Sequence, residues 1–302
     1  MLIDFTNLPR KNKTYAGANG SKLSIMYDGV QYMLKFPSHA LKNKVMSYAN
    51  SCVSEYIGCH IFNVIGIPAQ ETLLGTFTKN GTEKLVVACK DFTTAGLVLQ
   101  DFASLKNTII DSSYNGYGTE LDDIIQTLEE QTAVNSYVLK ERFWDMFIVD
   151  ALIGNWDRHN GNWGFLYNVQ TDEISLAPVF DCGSCLFPQA DESIMKGVIE
   201  ETKERDLRIF NIPLSGIKIE NKKINYFDFI SSLMNKDCNR ALKRIVPKIN
   251  MQKINRIIDE TPYITDLQKR FYKVILNERK EKILDFSYKI LCSREKSTDK
   301  VR

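Results

Sequence analysis

The chain has 302 residues, with 39 Lys and Arg against 37 Asp and Glu, so its formal charge at pH 7 is only +2. At 44% hydrophobic, 11% aromatic and 25% charged residues it has the composition of a folded protein with a core, which excludes a disordered or fibrous chain. Both signs of charge are interspersed, which argues against a dedicated nucleic-acid binder, and no run of about 18 apolar residues is present to span a membrane.

The first residues, Met1-Leu2-Ile3-Asp4-Phe5, lack the basic region and apolar stretch of a secretory signal peptide, so the cytoplasm is the default address. Seven cysteines form an odd, scattered set, and Cys52, Cys59 and Cys89 sit in apolar surroundings that suit reduced thiols. Cys182 and Cys185 make a single C-x-x-C. With only His39, His60 and His159 to complete a site, a structural zinc is disfavoured.

In chain order, Leu23 to Phe36 alternates imperfectly around Asp28-Gly29 and predicts an antiparallel hairpin. After Pro37 the stripe Met46, Ala49, Val53, Tyr56, Ile57, Ile61 and Val64 has helical spacing and stops at Gly66. Two further strands are expected, Thr72 to Phe77 and Lys84 to Cys89, parted by Lys79-Asn80-Gly81. Beyond Asp91 the pattern turns mainly helical. Glu120 to Glu130 is acidic and amphipathic, and Phe143, Trp144, Phe147, Ile148, Ala151 and Leu152 describe a broad apolar face, a buried central helix. Asn250 to Leu291 repeats the helical period twice with a break at Thr261-Pro262, and the polar end from Cys292 to Arg302 is expected to fray.

The densest polar cluster runs from Gly154 to Gly164, directly after that apolar helix and before a strand-like Phe165-Leu166-Tyr167. Asp157, Asn162 five positions later, and Asp181 ahead of Gly183 reproduce the order in which kinases place a catalytic Asp and two Mg²⁺ ligands. Asp-x-x-x-x-Asn alone is common, and Gly/Asn/Asp-rich stretches are often only turns. The upstream order adds weight: a loop of Gly17, Ala18, Asn19, Gly20, Ser21 and Lys22, then Lys35 on a strand, then Glu55 in a helix. The loop is not a Walker motif, because Gly-Lys-Ser/Thr is absent and strands follow it. Taken singly, Lys35 reads as an edge lysine that snorkels, and Glu55 as a solvated glutamate or a partner for Lys35. His159 is open between a structural hydrogen-bonding role and a phosphate-side donor.

At these residues the chain resembles the HipA-like serine/threonine kinases, most closely their compact, stand-alone members. The resemblance runs from the glycine loop through Leu34-Lys35-Phe36-Pro37, Ser54-Glu55-Tyr56, Cys89-Lys90-Asp91-Phe92, Gly154 to Asn162 and Pro178 to Ser184. It implies an α+β, two-lobed protein-kinase-like fold, with a strand-rich N-lobe over 1–91 and a mainly helical C-lobe over 92–302. It also implies ATP with Mg²⁺, phosphoryl transfer to protein hydroxyls and autophosphorylation, with Thr14, Ser21 and other hydroxyls all open as its site. By position, Asp157 is similar to the catalytic Asp, Asn162 and Asp181 to the metal ligands, Lys35 to the nucleotide-phosphate lysine and Glu55 to the glutamate that positions it. His159 matches a catalytic-loop histidine, and Lys90 and its neighbours the hinge that recognises adenine. The family includes toxins and exported effectors, so an antitoxin-like partner and a host-cell protein partner both stand as expectations beside the protein substrate. A phosphoinositide-kinase-like enzyme, whose loop also resembles Asp-Arg-His-Asn-x-Asn, and a nucleotide-binding pseudokinase are the alternatives.

Overall fold

The computed structural model describes residues 3–15, 22–37, 50–93, 96–110 and 115–299. The expected loop residues Gly17, Ala18, Asn19, Gly20 and Ser21, like His39 and the first part of the expected helical stripe, lie outside the described residues.

The strand-rich part contains β1 (Arg10–Lys11), β2 (Lys22–Tyr27), β3 (Val30–Lys35), α1 (Ser51–Ile65), β4 (Thr72–Lys79) and β5 (Thr82–Lys90). The strands form one antiparallel sheet in the order β1-β2-β3-β5-β4. Asp28 and Gly29, at φ 47° and 75°, make the expected tight turn between β2 and β3. Asn80 and Gly81 do the same between β4 and β5. Side chains alternate between the two faces. Leu34, Val86 and Ala88 join Phe5, Ile25 and Phe77 in a core on one face. Val87 and Cys89 meet Leu74 and Cys52 of α1 on the other, with Met33 packed against them. Lys35 lies two positions along β3 from Met33, and so on the face that looks toward α1.

The remainder is helical around a small second sheet. It comprises β6 (Leu97–Asp101), α2 (Phe102–Ile109), α3 (Leu121–Glu130), α4 (Ser136–Ile153), β7 (Gly164–Asn168) and β8 (Glu173–Leu176). There follow α5 (Glu192–Glu200), α6 (Thr202–Asp206), β9 (Lys218–Ile219), β10 (Lys222–Lys223), α7 (Tyr226–Ser232) and α8 (Lys236–Ile245). The last helices are α9 (Met251–Glu260), α10 (Asp266–Arg279) and α11 (Phe286–Asp299). Single π turns at Leu207–Asn211 and Lys280–Asp285 interrupt the helical run. The central helix α4 is buried over most of its last three turns. The α+β expectation is met.

One expectation fails at the end of the chain. The polar segment after Cys292 does not fray there; α11 continues to Asp299. Ser293 and Ser297 donate to the carbonyls of Lys289 and Ser293, and Glu295 accepts from Lys243 at 2.8 Å. A polar face is no obstacle to a helix whose other side is anchored, as Leu291 anchors this one in the core.

Helix α1 belongs to both cores. Cys52 packs on the sheet, whereas Val53, Ile57, Ile61, Phe62 and Ile65 join the main core with α4 and α10. Replacing fully buried Ile57 by Ala should therefore lower unfolding free energy by about 2–5 kcal/mol, the range for a buried aliphatic truncated in a packed core. Urea denaturation measures it, and a loss below about 0.5 kcal/mol would mean that the α1 interface is not part of the cooperative core.

Candidate active site

The Lys35 ammonium stands 3.1 Å from Glu55 Oε1 and 3.1 Å from Asp181 Oδ1. Strand alternation turns Lys35 toward α1, and the stripe Cys52, Glu55, Cys59 on that helix turns Glu55 back. Burial pulls the lysine's pKa down, but the carboxylates of Asp181 and Glu55 outweigh it and hold the ammonium well above its ordinary value. Lys35 is thus an ion-paired group on the cleft side of the sheet, and the reading of it as a snorkelling edge lysine does not hold. Glu55 also packs closely on the loop after Asp181, since a Cβ on Gly183 would stand 3.1 Å from Glu55 Oε2.

Lys22 faces Lys35 directly across the β2–β3 ladder. Burial and then the neighbouring Lys35 charge lower its pKa, while Asp181 and Glu55 oppose the shift. Like charges placed opposite each other cost stability in a sheet. The two ammonium groups are near enough that the charge of one acts on the other. A cavity of about 460 Å³, lined in part by Lys13, Thr14, Tyr15, Lys22 and Ser24, adjoins this pair.

The second half of the site is one continuous hydrogen-bonded loop. Helix α4 ends at Gly154 in the left-handed conformation, with φ 62°. Asn155 turns back on the helix, its amide nitrogen donating to Asp150 O and its side chain to Asp150 Oδ1. The Asn155 carboxamide oxygen receives the Asp157 N–H at 3.2 Å, and its carbonyl receives the Tyr226 hydroxyl at 2.6 Å. Asn162 Nδ2 donates to Asp157 O at 2.8 Å, which fixes the amide and leaves Oδ1 as its acceptor edge. His159 Nδ1 accepts the Gly161 N–H at 3.0 Å, so its structural bond is local to the loop. Burial raises the Asp157 carboxyl above the usual carboxylate range, and the nearby Asp181 adds to that rise, while His159 and Lys223 oppose it. Lys35 holds Asp181 below its usual value, against the effect of burial. Asp181 itself sits at φ 59°, a left-handed conformation that a non-glycine residue keeps only where its surroundings enforce it.

Arg158 supplies that enforcement, and sequence reasoning passed over it. Its guanidinium is almost fully buried and forks onto Asp150, with Nε to Oδ2 at 2.9 Å and Nη2 to Oδ1 at 3.2 Å. Nη1 donates to the carbonyls of Asn162, at 2.9 Å, and Phe180, at 2.6 Å. One side chain thereby holds the loop carrying Asp157 and Asn162 against the loop carrying Asp181. Its only signal in the sequence is a charged residue inside a motif whose flanks are apolar.

Lys90 ends β5 with its backbone engaged: its N–H donates to Glu71 O and its carbonyl accepts Gln70 Nε2. Its side chain pairs with Glu71 at the surface. The next residue, Asp91, gathers Lys13, Tyr15 and Gln31 through one carboxylate oxygen, tying the segment before the glycine loop to the end of β5. Phe92 meets Phe180, the residue before Asp181, at 5.8 Å. Cys182 and Cys185 are buried free thiols, and Cys185 Sγ donates to Ser54 O.

Comparison with known proteins follows this geometry. The HipA-like C-terminal domain family matches residues 13–261. The serine/threonine-protein kinase CtkA of Helicobacter pylori is 50% identical over 288 residues, which cover 95% of this chain and 87% of that protein. The crystal structure of an H. pylori proinflammatory kinase CtkA superposes with a TM-score of 0.91 at 48% identity, covering 97% of this chain and 98% of that one. HipA of Shewanella oneidensis MR-1, solved with HipB and operator DNA, aligns at a TM-score of 0.55 and 16% identity over 94% of this chain and 67% of its own, a likeness of fold alone.

Removing the Arg158 fork should damage both stability and chemistry. Arg158→Met leaves Asp150 buried without its partner, a loss of about 3–5 kcal/mol. Urea denaturation should show that loss, and phosphate transfer by the fraction still folded should fall at least tenfold; a variant as stable and active as the wild type would remove Arg158 from the site.

Proposed function

The chain belongs to the HipA-like C-terminal domain family, and on that premise we infer that it is a serine/threonine protein kinase that moves the γ-phosphoryl group of ATP, bound with Mg²⁺, to a protein hydroxyl. Its two-lobed, protein-kinase-like fold matches that of CtkA. The observation that carries the reading is the meeting of Lys35, Glu55 and Asp181 within 3.1 Å, beside a loop that holds Asp157 and Asn162 together. We further propose the division 1–91 and 92–302, with the cleft between the two parts.

The donor set fits Mg²⁺. Asn162 Oδ1 and the Asp181 carboxylate are hard oxygen ligands, and Mg²⁺ bound with a nucleotide takes only one or two carboxylates from the protein, with phosphates and waters completing its shell. Among the described residues no three His, Cys, Asp or Glu side chains gather as a closed metal cage, in keeping with a site that leaves positions for phosphate. Bound there, the ion would neutralise charge on the phosphates as it is redistributed during transfer.

The chain's own residues do the rest. Lys35 and Lys22 present positive charge to the phosphates, and Glu55 holds the Lys35 tip in place. Asp157 orients the acceptor hydroxyl and takes its proton as the hydroxyl oxygen bonds to phosphorus and the bond to the departing diphosphate breaks. The raised pKa of its carboxyl makes it a better proton acceptor than a fully solvated aspartate. We assign adenine to the chain around Lys90, whose backbone is bonded to Glu71 and Gln70 and whose neighbour Asp91 donates its N–H to Gln31 O.

Two substitutions separate these roles. Asp157→Asn removes the base without emptying the site. Label transfer from ATP to protein should fall by roughly 10²-fold or more, while binding of Mg-ATP, followed by thermal shift, persists; near wild-type transfer would sink the assignment. Asp181→Ala removes a metal ligand and the partner of Lys35, so affinity for ATP should fall in Mg²⁺. An ATP dissociation constant equal to that of the wild type in Mg²⁺ would exclude Asp181 as a ligand.

A further inference from the structure

A second positive feature stands apart from Lys22 and Lys35. Between Gly216 and Ile224 the chain leaves the core and returns: Ile217 and Ile224 are buried, whereas Ile219 to Lys223 are exposed. β9 and β10 pair antiparallel through a two-residue turn at Glu220 and Asn221, both in the left-handed region at φ 50° and 64°. The base of this hairpin lies on the catalytic loop. A Cβ on Gly216 would stand 3.0 Å from the carbonyl oxygen and 3.1 Å from the amide nitrogen of Arg158, so the hairpin's base packs closely on the backbone of that loop. On its other side Lys218 N–H donates to Thr119 O, and Asn221 N–H to Glu120 Oε1. The hairpin is a fixed ledge beside Asp157.

Lys223 lies directly opposite Lys218. Residues so paired project on the same face, and like charges there are unfavourable. Among the described residues neither ammonium has a carboxylate in ion-pair range. Their shared face is the one toward the reacting end of the cleft, because Lys223 Nζ lies 5.9 Å from the ring centroid of Trp156, the residue before Asp157. Across the loop, half-exposed Tyr117 meets His159 edge-on at 6.3 Å. An opposed pair of lysines fixed next to the proton acceptor, and flanked by two aromatic rings, is arranged for an anionic group carried by the acceptor.

We propose that this ledge selects acceptors with an Asp or Glu close to the phosphorylated Ser or Thr, the carboxylate lying between Lys218 and Lys223 and the peptide crossing Trp156 and Tyr117. The proposal rests on the protein-kinase reading and deepens it. Carboxylates are favoured over a lipid head group because the aromatic rings suit an extended peptide, and because two lysines make a smaller basic patch than the clusters of four to eight that mark anionic-lipid binding.

The test is a positional-scanning Ser/Thr peptide library phosphorylated by wild type and by the Lys218→Glu/Lys223→Glu variant, with phosphatidylinositol vesicles as a parallel acceptor and KM for ATP measured for both proteins. Wild type should favour Asp or Glu near the acceptor by roughly three- to tenfold, the range open to a pair of exposed charge contacts. The variant should turn that preference toward Arg or Lys while its KM for ATP stays within about twofold of wild type. Wild-type transfer with no acidic preference, an unchanged preference in the variant, or transfer to vesicles but to no peptide overturns the proposal. Absence of transfer by wild type to any acceptor, its own chain included, overturns the kinase reading on which it stands.

Discussion

The Arg158–Asp150 pair is the constraint on which the site depends. Two opposite charges removed from water bring a desolvation penalty of several kcal/mol each, and Coulomb attraction offsets it only when the remaining donors also find acceptors. Here they do, because the guanidinium spends its other hydrogens on the carbonyls of Asn162 and Phe180. Those carbonyls belong to the two segments that carry the chemistry. The bonds that make burial of the charge tolerable therefore set the register between Asp157, Asn162 and Asp181, and no weaker donor set at this position would do both.

The cleft side of this arrangement is electrostatically unbalanced by construction. Lys22 stands opposite Lys35, and Lys218 opposite Lys223, each an arrangement that a strand pair selected for stability alone would avoid. Burial, with Asp181 adding to it, raises the Asp157 carboxyl, while Lys35 holds that of Asp181 down. On the proposed reading, phosphate would bring the missing charge to the first lysine pair and a divalent cation to the carboxylates. A net charge of +2 conceals all of this, because it sums interspersed charges and says nothing of where two lysines stand opposite each other.

What was legible in the sequence is what local chemistry dictates. Asp28-Gly29 fixes a hairpin by its backbone preferences, and the apolar stripes of α1 and α4 announce helices without help from distant residues. Asp157, Asn162 and Asp181 stood out by their order along the chain, and the structure brings their two loops together through Arg158. β6 and β8 were not, since strands of five and four residues carry too little periodicity and exist because β7 lies between them. Arg158 was in view but its role was not, because a buried fork is defined by acceptors at Asp150 and Phe180 that only the fold brings together. Lys223 is further still, reaching Trp156 across more than sixty residues through a turn that depends on Gly216.

The place of α1 links these observations. Its Glu55 serves Lys35 of the sheet, and its buried face is shared, with Cys52 and Tyr56 packed on β4 and β5 and Ile57, Ile61, Phe62 and Ile65 joined to the main core. Of the two carboxylates on the Lys35 ammonium, Glu55 therefore comes from a helix that packs on the sheet, and Asp181 from the loop that Arg158 holds. Rotation of the sheet together with α1 against the helical part would move Lys35 away from Asp181 while leaving Glu55 beside it, and would bring Lys22 along, since the two lysines share a rung of the ladder. The Lys35–Asp181 pair at 3.1 Å thus reports the relative position of the two parts, whereas the Lys35–Glu55 pair reports how α1 sits on its own sheet.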